Sequence, residues 1–118
     1  MIFEGSGSGQ PITVFSSPTD TTLTTVYTQP SYSSGKLYSI NIAAVLGGDA
    51  TVIINDGSTD YKILSARTMT IDDRYFMEWR HGFTLHAGNI IKVQGTVNDS
   101  LTFAMEIVDV MRGPEHLS

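Results

Sequence analysis

There is no cysteine among the 118 residues. Disulfides and thiolate metal sites are therefore excluded, and the fold stands on packing, alone or with oligomerisation. Basic side chains are few: seven Lys and Arg against twelve Asp and Glu leave a net charge of −5. Scattered as they are, they make no phosphate-binding stripe, so direct nucleic-acid binding is not expected. No apolar run approaches the roughly 18–20 residues of a membrane helix. No segment carries a helical stripe over about 11 residues. The opening MIFEGSGSGQ has no basic stretch followed by an apolar one, so a secretory signal is not expected there. Charged residues make up only 16% of the chain, while Ser, Thr and Gly abound. Low charge with many hydroxyls suits a β-protein with much of its surface against neighbours.

Catalytic motifs are missing too. No G-x-S-x-G elbow is present, and no glycine-rich loop has the spacing that cradles phosphate. His81 and His86 lie five residues apart; on a strand they face opposite sides, which is poor geometry for a shared metal or a triad. His116 lies in the terminal GPEHLS. Asp56 and Asp60, with Asn55, are oxygen ligands close enough in sequence for Ca²⁺, but the same residues serve ordinary turn chemistry. Asp72 and Asp73 are adjacent and diverge, which does not suit paired acid–base work. The chain is accordingly expected to have no catalytic residue, no metal and no cofactor.

What is present is period two. Ile12–Phe15, Thr21–Thr28, Lys36–Val45, Ala50–Ile54, Tyr61–Leu64, Arg74–Arg80, Asn89–Gln94 and Ser100–Val110 read as strands, rich in β-branched and aromatic residues. In Lys36–Val45 the alternation sets Tyr38, Ile40, Ile42 and Ala44 on one face, with Ser39 and Asn41 opposite. In Arg74–Arg80, Tyr75, Met77 and Trp79 point one way. Arg74, Phe76, Glu78 and Arg80 point the other. An aromatic ringed by charges has the composition of a protein contact; the bland alternative is a sheet face covered by a loop. Tyr38, Tyr75 and Trp79 are expected in the core.

Asp56 and Gly57 mark a hairpin turn between two apolar runs. In FTLHAGNIIKVQG, Gly88 is expected at positive φ, with Asn89 capping the reversal and His86 in solvent or at an interface. About eight strands at this spacing predict a single all-β domain, an antiparallel β-sandwich of jelly-roll-like form, over residues 11–111. Residues 1–10, with the GSGSG tract, are expected to form a flexible N-terminal arm. Residues 112–118 are a tail. Ile2 and Phe3 are odd in a purely solvated arm and suggest a docking tip.

Taken in order, TTVYTQP, GKLYSINIAAV, DATVIINDGSTDYKI, FTLHAGNIIKVQG and SLTFAMEIVDV resemble a group of small all-β virion proteins of tailed bacteriophages. That group has a Thr-rich strand ending in Tyr-Thr-x-Pro, a Leu-Tyr-Ser-Ile-Asn-Ile-like strand and a Thr-Val-x-Ile strand turned by Asp-Gly. A Leu-x-x-Gly-Asp/Asn-x-Ile-x-Val phrase and a closing Glu-Ile follow. The resemblance runs from Thr21 to Val110. It departs at Ala87-Gly88-Asn89, where Pro-Gly or Ala-Gly-Asp is usual, and at Ala66-Arg67-Thr68, where a Pro-containing loop is common. It implies a structural role with no catalytic residues to carry over. The expectation is a capsid decoration (cement) protein of the virion, assembled in the host cytoplasm. Its partners would be the major capsid protein and further copies of itself, with a trimer favoured. A neck, collar or tail-fibre-anchoring subunit is the alternative. A carbohydrate-binding attachment module is the reading from another class.

Overall fold

The computed structural model describes residues 10–111. The predicted arm, including Ile2 and Phe3, lies outside the described residues apart from Gln10; so do the tail and His116. Eight strands follow one another: β1 Gln10–Ser16, β2 Thr24–Thr28, β3 Ser33–Ala44, β4 Gly48–Asn55, β5 Asp60–Met69, β6 Arg74–Leu85, β7 Ile90–Gly95 and β8 Leu101–Met111. One sheet has the order β1-β8-β3-β6 and the other β2-β7-β4-β5, every pairing antiparallel. Only β4 and β5 join as a hairpin within one sheet; every other connection crosses to the opposite sheet. This is an eight-stranded jelly roll.

Alternation makes the two sheets stick. On β3, β7 and β8 every second residue is buried, so Ile40 and Ile42, Ile91 and Val93, and Leu101, Phe103, Met105 and Ile107 enter one core. Removing that apolar surface from water is the main drive to fold. Met77, Tyr75, Trp79 and Phe83 pack against the core from β6. Arg67 of β5 lays its guanidinium 3.8 Å from the Tyr75 ring centre. It thereby covers the gap between the two sheets at their β5 and β6 edges, a cation–π contact of about 0.5–1 kcal/mol.

Three observations correct the simple strand reading. Leu37 pairs with Ile107 and Ser39 with Glu106, which leaves Tyr38 as an extra residue on β3. A bulge of this kind turns two successive side chains to one side. Tyr38 is therefore half-buried on the outer face, and Leu37 takes the core position. Next, Ala66-Arg67-Thr68 is not a loop but part of β5. Ala50 pairs with Arg67 and Val52 with Leu64, so Ser65 and Ala66 stand opposite Thr51 alone. Ala66 has φ 47°, and its N–H donates to the Thr51 hydroxyl at 3.0 Å. Finally, β6 runs unbroken to Leu85, with His81 inside it.

At one end of the sandwich the turns between β2 and β3 and between β6 and β7 meet. Gly88 has φ +82°. Its N–H donates to the Gln29 carbonyl at 2.9 Å, and the Gln29 N–H donates to the Asn89 carbonyl at 2.8 Å. Asn89 Oδ1 accepts the His86 N–H at 2.8 Å, closing the turn, while the His86 side chain is exposed. Beneath lies a buried polar knot. Gln29 Nε2 donates to Asp109 Oδ1 at 2.7 Å and to Ser33 Oγ at 3.0 Å. Ser33 Oγ donates to the same Asp109 oxygen at 3.0 Å, and the Tyr27 hydroxyl donates to Gln29 Oε1 at 3.2 Å. Burial, and after it the Asp109 charge, raises the Tyr27 phenol above its usual range. Gln29 thus ties both sheets together, and none of its side-chain partners is a cation.

Two outcomes are expected in denaturant unfolding. Gln29→Ala strands Asp109 and Ser33 without their shared donor and lowers stability by about 2–4 kcal/mol. Gly88→Ala meets no neighbouring atom within 4 Å. It therefore costs only backbone strain, about 1 kcal/mol, whereas His86→Ala stays within about 0.5 kcal/mol.

Candidate functional site

The turn residues account for their own polarity. Asp56 Oδ1 accepts the N–H groups of Ser58 at 3.0 Å and Thr59 at 2.8 Å. Asn55 Oδ1 accepts the Gly57 N–H at 2.7 Å, and Gly57 has φ +109°. Asp60 takes Asn55 Nδ2 at 2.6 Å and Lys92 Nζ at 3.4 Å. These bonds hold the Asp56 and Asp60 carboxyls below the usual carboxylate range, with the Thr59 N–H the first cause at Asp56 and Asn55 the first at Asp60. The hairpin oxygens are thus turned onto their own chain. Among the described residues no three His, Asp or Glu side chains converge as metal ligands.

Two surfaces stand out instead. The first is the outer face of the β1-β8-β3-β6 sheet. Arg74, Phe76, Glu78 and Arg80 all project from it and are exposed. Across the sheet, Phe76 pairs with Asn41, Asn41 with Ala104, and Ala104 with Phe15. Two exposed aromatics therefore flank two small side chains in one row. In the neighbouring row Glu78 pairs with Ser39, Ser39 with Glu106, and Glu106 with Thr13. Glu106 Oε2 accepts the Thr13 hydroxyl at 2.9 Å.

Beside this second row the pairing of β3 and β6 breaks. Between Ser39–Glu78 and Leu37–Phe83, the four residues Trp79 to Gly82 stand opposite Tyr38 alone. The excess chain is held by Lys36 Nζ, which donates to the His81 carbonyl at 3.2 Å. It turns at Gly82, whose φ is +80°. An added Cβ there would lie 2.8 Å from Lys36 Cβ and 3.2 Å from Tyr38 Cζ. Trp79 is fixed from behind by an edge-to-face contact with Phe83, ring centres 5.9 Å apart. The result is a recess of about 570 Å³ between Tyr38, Phe76, Trp79, Arg80, Glu78 and Glu106, with Ser39 at its floor row. Bulges commonly re-aim side chains in this way.

The second surface is the end opposite the Gln29 knot. It carries the turns after β1, β3, β5 and β7. Among the described residues, five of the nine exposed large hydrophobic side chains lie there: Leu23, Val45, Leu46, Ile71 and Val97. Val45, Leu46 and Ile71 are each more than half exposed. The turns touch: an added Cβ on Gly47 would lie 3.6 Å from the Ile71 backbone nitrogen, and one on Gly48 would lie 2.9 Å from Val97 Cγ2. Buried Ser100 braces them, its hydroxyl donating to the Gly47 carbonyl at 2.6 Å and accepting the Leu46 N–H at 3.1 Å.

Of the expected contact residues, the structure thus brings Phe76, Glu78 and Arg80 together at the recess, with Arg74 farther along the same strand. Reading the sequence missed Tyr38 and Glu106 as their neighbours, because a bulge and a cross-sheet register set that proximity. It also missed the apolar end, although Val45-Leu46 before Gly47-Gly48 and Ile71 before Asp72-Asp73 were visible as large apolar residues in turn positions. No protein-family model matches the chain, and no curated protein matches it.

Gly82→Ala is expected to lower stability by about 1–2 kcal/mol, from backbone strain plus the clash with Lys36. Because the clash reaches Tyr38, the emission of Trp79 should shift as well. Thermal unfolding and intrinsic fluorescence check the two effects separately.

Proposed function

We propose that this protein is a non-enzymatic structural component of a tailed-bacteriophage particle, a decoration protein that stabilises the capsid through protein–protein contact. The observation that carries the reading is the apolar end. Large apolar side chains gathered in the turns at one end are unusual on a surface that water alone covers. The β3–β4 turn, which carries Val45 and Leu46, is braced by Ser100, so that part of the surface is preset. Burying such a surface against a partner stabilises the contact by about 25 cal/mol per Å² of apolar area, before the costs of association are subtracted. The strand phrases that resemble small phage virion proteins support the particle as the setting. The major capsid protein is the proposed partner, and a trimer the proposed oligomer. A contact of standard size buries roughly 1,200–2,000 Å² in total.

A neck or collar subunit would present the same end to a different ring of proteins. Copy number separates the two placements: hundreds per particle for the capsid, about six to twelve for the neck.

The experiment is particle occupancy of the double variant L46D/I71D. Both side chains are exposed, so stability should stay within about 1 kcal/mol of the parent. Occupancy on particles, read by quantitative gel or cryo-EM, should fall at least about tenfold with two charges placed in an apolar contact. Undiminished occupancy would remove this end from the mechanism.

A further inference from the structure

The recess at the double bulge has no role in the reading above, since it lies on the outer sheet face rather than at the apolar end. We propose that it is a binding site for a neutral oligosaccharide. Its volume of about 570 Å³ falls within the roughly 300–1,000 Å³ usual for small-molecule sites.

The lining decides the ligand class. Three aromatic residues, Tyr38, Phe76 and Trp79, line it. Phe76 is half exposed, so its ring offers an apolar face to a ligand. The recess is also lined by acceptors, the Glu78 and Glu106 carboxylates, by a donor, the Arg80 guanidinium, and by the Ser39 hydroxyl, which is both. Among the described residues neither Glu78 nor Glu106 is ion-paired, and Arg80 is not either. They line one recess without neutralising one another. Glu106 keeps further acceptor capacity beyond its single bond from Thr13.

That combination discriminates among ligands by charge. A phosphate or carboxylate would meet Arg80 but also two carboxylates. A lysine or arginine side chain would meet the carboxylates but also a guanidinium that does not deprotonate. A pyranose ring has C–H faces that stack on aromatic rings and hydroxyls that donate to carboxylates and accept from Arg. It satisfies every group in the recess without adding charge.

Position agrees with this. Glu78, Arg80 and Glu106 are exposed, so the recess opens along the sheet face and leaves room for a sugar that continues as a chain. The bulge fixes Tyr38 and Trp79 before any ligand arrives: Gly82 packs against Tyr38, and Phe83 backs Trp79. Preset aromatic side chains reduce the ordering cost of binding.

Trp79 is the sole tryptophan and lines the recess, so a change there is read in its fluorescence, with the melting temperature as the control for core packing. The full chain is titrated with a panel of neutral oligosaccharides of glucose, galactose, mannose and N-acetylglucosamine, each up to about 50 mM, a range that captures millimolar affinity. The expected result is a saturable emission change with at least one sugar. Glu106→Gln and Phe76→Ala, both at exposed positions, should each weaken that sugar by about tenfold or more, the loss of one charge-assisted hydrogen bond or one stacking face. Their melting temperatures should match the parent. No emission change with any sugar of the panel would overturn the proposal. So would a change that survives both substitutions, or one produced instead by a lysine-rich peptide or by inorganic phosphate. Occupancy of the L46D/I71D variant on particles is unaffected by any of these results, so the two readings fail separately.

Discussion

Everything in this fold depends on keeping one face of each strand turned toward the opposite sheet. The side-chain period of a strand is two, so a single added residue would turn all that follow to the wrong side. Bulges are the permitted exception, because they absorb the extra residue locally. Tyr38 is such a residue. With it expelled, Leu37 and Ile40 both face the core although they are three apart. On β2 the pairing shifts between Thr25 and Tyr27, and both Val26 and Tyr27 pack against the core. The same constraint that fills the interior therefore creates the irregular surface. The recess exists because Tyr38, Trp79 and Arg80 are displaced where β3 and β6 fall out of step.

The fold was legible because its dominant signal is local. Alternation through Ile40, Ile42, Phe103, Met105 and Ile107, with Asp-Gly and Ala-Gly-Asn at the reversals, is enough to predict an antiparallel sandwich of about eight strands. Tyr38 was misplaced by that very method. Its neighbours alternate correctly on either side, and only the register against β8 shows the interruption. Ala66-Arg67-Thr68 misled for a related reason: a non-glycine residue at positive φ is rare, and nothing local announces that Thr51 will supply the hydroxyl that holds it. Gln29 lies just past the expected strand Thr21–Thr28 and gave no signal of its own. Its side chain reaches Asp109, eighty residues away, a partnership that no local pattern encodes. The site was thus half legible. Phe76, Glu78 and Arg80 were recognisable from one strand's own alternation, whereas Glu106 and Tyr38 join them only through pairing with β8 and β3.

The two ends of the sandwich are stabilised by opposite means. At one, Gln29, Ser33 and Asp109 exchange buried hydrogen bonds, and the β6–β7 turn docks onto the Gln29 backbone. A satisfied polar network specifies geometry because each member has few alternative partners. β1 begins and β8 finishes at that end. At the other end the turns are held by backbone-directed bonds, Ser100 to the β3–β4 turn and Thr96 Oγ1 accepting the Asp49 N–H at 2.7 Å. Their large side chains are left over, facing outward.

This division bears on how one small domain would serve a particle. A contact made through the apolar end covers Val45, Leu46 and Ile71 and leaves the outer face of the β1-β8-β3-β6 sheet in water. The recess lies in that face, in the row Thr13, Glu106, Ser39 and Glu78, one row farther from the apolar end than Phe15 and Phe76. The fold therefore separates the two proposed surfaces by construction: one is made by turns, the other by the middle of strands. A substitution in the turns alters the first without touching the register that builds the second. A change that shifts β3 against β6, at Tyr38 or Gly82, or one at Trp79, which packs on the core and lines the recess, would disturb both together.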